Sequence, residues 1–299
     1  MATERDPLIG RVVRGYRVEA FVERGQGGSV YRGEQIAVGR KVALKVRRPR
    51  SERPLDAFLA PAREAARLVH AHVVPVLDVV EEGDVIFYSM EYLAGGSLAA
   101  RVRAKGPLSV PEVITLLRGL ADALHLIERN GSVHGDINPT HILFTSDGTP
   151  KILHVGAGST REPSGASSLP FAAPEKLEGS PPDTRSDLYE LGACIHYART
   201  GLLPFAGASV DELLRTKRRS AGLSPGEPPW LDTLVACMTR PDAAARCQSF
   251  AEVLQVVDEA ASSEDGRADG RRSSKPMRGM RRAVARIGRG RIAFPIILA

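Results

Sequence analysis

The apolar pattern of the chain changes once, at the segment 94–98 (AGGSL). Before this segment, five short runs rich in Val, Ile, Tyr and Phe are separated by glycine or charged turns, which is typical of β-strands. One helical pattern lies between the third run and the fourth. After the segment, apolar residues recur at helical spacing. We therefore expect an α+β fold with two lobes: a small lobe with a five-stranded antiparallel sheet and one helix, and a larger, mostly helical lobe.

These patterns also predict the domain boundaries. The predicted strands are YRVEAFV, SVYRGEQI, KVALKV, VVPVLDVV and DVIFYSMEYL, with the helix LDAFLAPAREAARLV after the third. The longest helix, SVPEVITLLRGLADALHLIERN, has an apolar face of Val113, Leu116, Leu117, Leu120, Leu124 and Leu126. Later helices are predicted in SDLYELGACIHYART, VDELLRTKRR, PWLDTLVACMTR and SFAEVLQVVDEAAS. We expect the small lobe and its connection at 1–93, the large lobe at 94–261 and a tail at 262–299.

Cysteine content and the amino terminus suggest where the chain works. There are three cysteines with no C-x-x-C spacing, and an odd number argues against a disulfide framework. The first residues, MATERDPLIGRVVRGYRV, lack the apolar run of a secretory signal. We expect a reducing cytoplasm, or the cytoplasmic face of a membrane.

The positive charge of the chain is concentrated in its tail. The formal net charge is +6, and residues 262–299 contain ten Lys or Arg against three Asp or Glu. A specific nucleic-acid partner is not expected, because this excess lies in a Gly/Ser/Arg-rich segment rather than on a folded face. The tail is predicted to be disordered, and its part 271–299 is predicted to bind an anionic membrane surface. Its last run, IAFPIILA, is too short to cross a bilayer.

Three readings of the tail remain open. It grips the membrane surface, or it leads into a transmembrane helix of a longer protein. The third reading is a solvated basic tail that binds polyanions without specificity.

A glycine-rich hairpin and a strand lysine suggest a phosphate site. The segment VERGQGGSVYRG lies between two predicted strands, and glycine lets backbone N–H groups approach phosphate oxygens. A plain turn is the alternative reading. Lys45 follows in VALKV, on a strand beneath this hairpin, where its ammonium group could pair with phosphates. A solvated strand lysine is the alternative.

A second motif, SVHGDINPTHILF, places Asp136 on a loop between a long helix and an apolar strand. A carboxylate there can accept the proton of an attacking hydroxyl group. An Asp that stabilises a turn is the alternative reading.

The order of these motifs resembles a known family. The glycine hairpin, the strand lysine, MEYL, HGD, AAPE and SDLYELG follow one another as in the bacterial eukaryotic-type (Hanks-type) serine/threonine protein kinases, over Tyr16–Glu259. The resemblance implies ATP in a cleft between the lobes, a Glu175–Arg246 ion pair, and Asp187 organising the catalytic loop. The implied catalytic residues are Asp136 and Lys45. The implied nucleotide-binding residues are Val22, Gly25, Gly27, Gly28, Val30, Ala43, Lys45, Glu91 and Leu93, beside a gatekeeper at Met90.

Four positions depart from the family pattern around the substrate phosphates. Glu23 replaces the first glycine of the hairpin, and Pro61 replaces the helix glutamate that pairs with the lysine, with Glu64 one turn later. In the catalytic loop, Gly135 and Asn138 replace the arginine and the lysine. Charge stabilisation is lost in both of these loop positions.

The magnesium ligands are replaced as well. His141 and His154 occupy their positions, and magnesium prefers oxygen ligands in octahedral geometry. Loss of both ligands costs on the order of several kcal/mol in the transition state. The sequence therefore predicts a pseudokinase that binds ATP weakly without effective magnesium, as a binding or regulatory module for other signalling proteins, such as an active kinase or its substrate.

Alternative functions stay open. A slow serine/threonine kinase is compatible with the retained Lys45 and Asp136. A small-molecule phosphotransferase of the aminoglycoside or choline kinase kind also uses an H-G-D loop, although AAPE and SDLYELG argue against it. His141, His154 and Asp136 could hold zinc or manganese as a 2-His-1-carboxylate set, or the histidines are buried and bonded to neighbours.

Overall fold

A computed structural model describes residues 6–25, 28–47, 54–153, 165–219 and 228–268. The small lobe is built on an antiparallel sheet in which the strands follow the order β1-β2-β3-β4-β6-β5. The strands are β1 Val12–Val13, β2 Tyr16–Gly25, β3 Gly28–Gln35, β4 Arg40–Val46, β5 Val76–Glu82 and β6 Val85–Glu91. All five predicted strands are present. The sheet gains a sixth strand, β1, which at two residues is too short to give a pattern.

Helix α1 (Leu55–Ala66) is the only helix of four or more residues in the described part of the small lobe. Its buried residues include Phe58, Leu59 and Ala62, which join one apolar cluster with Tyr88 of the sheet. Pro61 lies inside the helix and is buried. A proline within a helix lacks the N–H that would donate to the carbonyl four residues earlier, so this helix tolerates a defect at its centre.

The large lobe is helical, as predicted. Its helices are α2 Leu98–Lys105, α3 Val110–Arg129, α4 Pro174–Leu177, α5 Thr184–Thr200, α6 Val210–Arg218, α7 Pro229–Met238 and α8 Phe250–Ala268. Helix α3 begins with a capping box, in which Ser109 and Glu112 satisfy each other's backbone N–H groups. The predicted apolar face of α3 is buried, apart from Leu126, which is partly buried. Helices α2 and α4 were not predicted, because each is short and has no clear apolar period.

A second, three-stranded sheet lies where the two lobes meet. It consists of β7 (Gly96–Ser97), β8 (Ile142–Phe144) and β9 (Pro150–Ile152), in the order β7-β8-β9. Val73, just before β5, pairs with Ile152 in a parallel bridge. The small sheet therefore connects the segment that follows Asp136 to the small lobe.

Helix α8 extends to Ala268, beyond the boundary predicted at residue 261. The rest of the predicted tail lies outside the described residues, so its disorder stays a prediction. Among the helices of the described segments, none is long and apolar enough to cross a membrane.

Candidate active site

Strands β3 and β4 line the cleft between the lobes on the side of the small lobe. Gly28 packs so closely against β4 that a Cβ atom at this position would lie 2.3 Å from the carbonyl oxygen of Val46. Only glycine fits there without movement of the backbone. Gly25 pairs with Gly28 across the hairpin, Glu23 is exposed, and Gly27 lies outside the described residues.

Lys45 lies beside the hairpin, on the face of the sheet that lines the cleft. It pairs in register with Val30 on β3 and with Tyr88 on β6. Its side chain is partly buried, and Nζ lies 5.8 Å from the centre of the Tyr88 ring. The sequence placed Lys45 correctly under the hairpin because the alternation of β4 fixes which residues share a face.

The predicted adenine-binding residues form an apolar surface. Ala43, Met90 and Leu93 belong to one buried cluster, and Val30 packs against it. Leu153 also belongs to this cluster, and Leu143 packs against it from the small sheet. These last two, which close the cluster from below, were not predicted from the sequence. Val22 is 51% exposed, and its contact with adenine stays a prediction.

The hinge after β6 is fixed by polar contacts. The N–H of Glu91 donates to the carbonyl oxygen of Pro75 at 3.3 Å, and its side chain accepts from Lys151 of β9 at 2.7 Å. The carbonyl oxygen of Leu93 accepts from the N–H of Gly96 at 3.3 Å. Glu91 therefore connects the hinge to the small sheet, a contact that no pattern in the sequence predicts.

Helix α1 offers no carboxylate at the position where the family pattern has one, because Pro61 occupies it. The carboxylate of Glu64 contacts the guanidinium group of Arg67 at 3.1 Å, at the exposed end of the helix. This contact therefore gives no support to a pair between Glu64 and Lys45 in place of the missing one.

Asp136 lies in a loop that is tightly hydrogen-bonded to itself. Its side chain is almost buried, and Oδ1 accepts from Nδ2 of Asn138 at 3.3 Å. The amide of Asn138 is oriented by Thr140, which donates to Oδ1 from both its N–H and its hydroxyl group. Asn138 therefore replaces the family's lysine with a neutral group that holds Asp136 in place.

His141 faces Asp136 through its Nδ1 atom. This atom lies 2.8 Å from the backbone carbonyl oxygen of Asp136 and 3.4 Å from Oδ2. Nδ2 of Asn138, an amide donor, also lies 3.0 Å from this atom. The carbonyl oxygen calls for a proton on Nδ1 and the amide calls for a lone pair there, so in either tautomer Nδ1 is engaged by groups of its own loop.

His134 is a structural residue of the same loop. It is fully buried, Nε2 donates to the carbonyl oxygen of Leu153 at 2.8 Å, and Nδ1 accepts from the N–H of Asp136 at 3.2 Å. Burial, reinforced by the nearby His141, lowers the pKa of His134 to about 4. The ring is therefore neutral near pH 7 and serves to fix the backbone of Asp136.

Asp187 of α5 anchors the loop from below. Its carboxylate accepts from the N–H groups of His134 and Gly135, both at 2.7 Å. Burial, together with the charge of Glu190, raises the pKa of Asp187 to about 7. Gly135 has a φ of 77°, in the left-handed region that glycine adopts most easily. The role that the resemblance implied for Asp187 is confirmed.

A buried ion pair, unforeseen in the sequence, clamps the two peptide groups that flank Asp136. The ammonium group of Lys176 donates to the carbonyl oxygen of Gly135 and to Glu190. The other oxygen of Glu190 accepts from the N–H of Ile137 at 2.8 Å. Both side chains are only 1% exposed. Burial works against the charge of Lys176, but Glu190 outweighs it and raises the pKa of this lysine.

The donor set fits magnesium poorly. In the described segments no group of three or more His, Cys, Asp or Glu residues could hold a metal ion. His141 presents nitrogen rather than oxygen, with Nδ1 turned to the Asp136 carbonyl. His154, the second histidine of the proposed zinc or manganese set, lies outside the described residues, so that set stays a prediction.

The implied Glu175–Arg246 ion pair is present. The guanidinium group of Arg246 donates to both carboxylate oxygens of Glu175, at 2.7 and 2.8 Å, and to three carbonyl oxygens, those of Arg185, Arg240 and Pro241. The side chain of Arg246 is fully buried. Burial opposes ionisation of Glu175, but the hydrogen bond from Arg246 lowers the pKa of this carboxyl group.

Comparisons with known proteins point to one family. The family model of the protein kinase domain matches residues 16–257. The serine/threonine-protein kinase PknL of Mycobacterium tuberculosis is 32% identical over 261 residues, which are 82% of this chain and 65% of PknL. The DNA damage-responsive serine/threonine-protein kinase RqkA of Deinococcus radiodurans is 35% identical over 226 residues, 70% of this chain and 33% of RqkA.

A third relative is the serine/threonine-protein kinase PrkC of Bacillus subtilis, 30% identical over 214 residues, 68% of this chain and 33% of PrkC. The chain thus spans about two thirds of PknL and about a third of RqkA and PrkC.

Proposed function

Because this chain belongs to the protein kinase domain family, we propose that it is a nucleotide-binding signalling domain with a degraded metal site, and that it works as a pseudokinase. The observation that carries the proposal is His141, whose Nδ1 is held on the carbonyl oxygen of Asp136 where the family has an oxygen ligand. In phosphoryl transfer, positioning and charge neutralisation by metal ions supply nearly all of the catalysis. Without effective metal ions, the domain would bind nucleotide and regulate other proteins instead of transferring phosphate.

The nucleotide would lie between the apolar cluster and the hairpin. Ala43 and Met90, with Leu143 and Leu153 below, offer an apolar surface to a purine ring. Lys45 and the backbone of the glycine hairpin offer a cation and N–H donors to phosphate groups. Magnesium, when present, would be bound mainly by the phosphates and water, so it would add little affinity.

Calorimetry of ATP and ADP, with and without magnesium, tests this proposal. We expect weak binding that changes less than about threefold on addition of magnesium. The double variant His141→Asn/His154→Asp restores oxygen ligands at both positions, and its affinity should gain more than tenfold from magnesium. A large magnesium-dependent gain in the natural chain would contradict the proposal.

A slow serine/threonine kinase is the second candidate, and the ordered catalytic loop favours it. Asp136 is held by Asn138, His134 and the Lys176–Glu190 pair, so a general base is in place without a strong metal site. Labelled ATP with magnesium or manganese would reveal autophosphorylation, which Asp136→Asn should abolish. Efficient transfer that depends on Asp136 would establish the second candidate over the first.

Partners and location are proposed from the sequence. A binding domain of this family would act on other signalling proteins, such as an active kinase or its substrate. The basic segment 271–299 would hold the domain at an anionic membrane surface.

A further inference from the structure

The carboxyl-terminal part of the large lobe brings two thiol groups into contact. Cys237 lies near the end of α7, and Cys247 lies just before α8. Their sulfur atoms are 3.3 Å apart, and the two residues are 2% and 0% exposed. The third cysteine, Cys194 of α5, is buried elsewhere, with its sulfur 3.9 Å from the carbonyl oxygen of Ile137.

The two thiols differ in how readily they ionise. Cys247 donates a hydrogen bond to the sulfur of Cys237, and this bond, helped by the charge of Arg240, lowers the pKa of Cys237. The same contact, together with burial, raises the pKa of Cys247. Cys237 is therefore the better nucleophile of the pair, and Cys247 keeps its proton.

We infer that Cys237 and Cys247 form a dithiol modification site, which a small hydroperoxide converts into an intramolecular disulfide. The Cys237 thiolate attacks one peroxide oxygen, the O–O bond breaks, and hydroxide leaves and is protonated to water, giving a sulfenic acid. The sulfur of Cys247 then attacks the sulfur of Cys237, and its proton departs with the hydroxyl group as a second water. The two sulfurs lose two electrons in total, and hydrogen peroxide gains them.

Burial decides which oxidants can reach the two sulfur atoms. Because both sulfurs are almost inaccessible, the site favours a small uncharged oxidant over a bulky disulfide such as oxidised glutathione. Cys247 directly follows Arg246, whose guanidinium group holds Glu175. The new bond would therefore fix the backbone beside this buried ion pair, far in sequence from the nucleotide-binding residues. The inference does not depend on the proposed function.

Oxidation of the folded full-length chain by hydrogen peroxide tests the site. After quenching, denaturation and alkylation, mass spectrometry should find that the number of free thiols falls from three to one, with a cross-linked peptide joining Cys237 to Cys247. A reductant should restore all three. The disulfide closes a short loop, so the oxidised protein should melt roughly 5 °C or more above the reduced protein.

Three variants serve as controls. Cys194→Ala should still lose two thiols and form the same cross-link. Cys247→Ala removes both the resolving thiol and the hydrogen bond that activates Cys237, so it should form no disulfide and should collect a sulfenic acid on Cys237 more slowly, which dimedone traps once the chain is unfolded in its presence. Cys237→Ala should give neither product. If the variants fold poorly, the peptide map of the natural chain decides.

The inference is overturned by either of two results. The folded chain retains three thiols under conditions that oxidise the same chain in guanidinium, or the disulfide involves Cys194 or a second molecule.

Discussion

Among single residues, three histidines show how the surroundings decide what an imidazole ring can do. His134 uses both ring nitrogens to hold the loop around Asp136, and His141 turns its Nδ1 to a carbonyl oxygen. His196 of α5 is fully buried, and neither of its nitrogens has a hydrogen-bond partner in the part of the chain that the structure describes. Its burial, reinforced by the charge of Arg199, lowers the pKa of His196 to about 4.

We predict that His196 makes the fold sensitive to acid. The pKa of an unfolded histidine is about 6.5, so the unfolded chain takes up this proton first. Above pH 6.5 the ring is neutral in both states and this histidine does not lower the free energy of unfolding. As the pH falls from 6.5 towards 4, the unfolded chain binds a proton that the folded chain does not, so the free energy of unfolding decreases. His196→Leu should stabilise the protein by about 1 kcal/mol at pH 7.5, since it removes buried groups without partners, and by more at pH 5. Urea denaturation at both pH values measures this.

A matched control is His125→Gln in α3. His125 is partly exposed and contacts Glu128, and its replacement should leave the loss of stability between pH 7.5 and 5 close to that of the natural chain. Equal pH dependence in His196→Leu and the natural chain would show that other groups cause the acid sensitivity.

At the scale of elements, helices α4 and α5 are joined beneath the catalytic loop. Lys176 is the third residue of the four-residue helix α4, and Glu190 lies in the second turn of α5. Such a short helix is not stable alone. The buried ion pair, together with the Glu175–Arg246 pair, therefore holds α4 in place, and through Gly135 and Ile137 it also fixes the loop of Asp136.

The strength of this connection can be measured by a double-mutant cycle. Lys176→Met leaves Glu190 buried without its cation and should cost about 3–5 kcal/mol of unfolding free energy. Adding Glu190→Gln removes the unpaired charge and keeps an acceptor for the N–H of Ile137, so the double variant should be more stable than Lys176→Met alone. Urea unfolding of the natural chain, both single variants and the double variant gives the coupling energy.

We expect a coupling of at least about 1 kcal/mol. Additive effects would mean that the two side chains act independently. When the ion pair is removed, the loop that carries Asp136 should shift. The chemical shift of the Ile137 amide in an NMR spectrum measures this, because that N–H donates to Glu190.

At the scale of the whole molecule, the lobes meet at the small sheet. The bridge between Val73 and Ile152 and the Glu91–Lys151 ion pair connect the hinge region to β9. Helix α8 carries the chain to Ala268, after which the basic segment begins. The basic segment therefore follows the large lobe directly in the chain.

Flotation with vesicles tests the proposed role of the tail. The full-length chain should float with anionic vesicles at low salt, and a chain that ends before Arg271 should stay behind, because each basic residue near the surface contributes about 1 kcal/mol. Replacing the arginines of 271–291 by Gln, or the run IAFPIILA by Ser and Gly, separates the two contributions. Binding that vanishes at high salt indicates that the arginines dominate.

A full-length chain that stays soluble beside anionic vesicles, as the truncated chain does, would refute membrane addressing. Equal binding to neutral vesicles would instead assign the attraction to the apolar run.

The sequence by itself determined the family, the two lobes, all five main strands and the positions of Lys45, Asp136, Asp187 and the Glu175–Arg246 pair. These features are local patterns or ordered motifs. Alternation fixes which residues of β4 face the cleft, and helical spacing fixes the buried face of α3. Short elements such as α2, α4 and the small sheet escaped prediction because a few residues carry no measurable period.

Only the tertiary structure decided which distant side chains meet. Lys176 and Glu190, Glu91 and Lys151, and Cys237 and Cys247 are separated by 14, 60 and 10 residues. No periodicity links such pairs, because their contact depends on how whole helices and strands pack against each other. The same packing turned Nδ1 of His141 to a carbonyl oxygen, so the replacement was visible in the sequence, but the hydrogen bond that holds the ring was not.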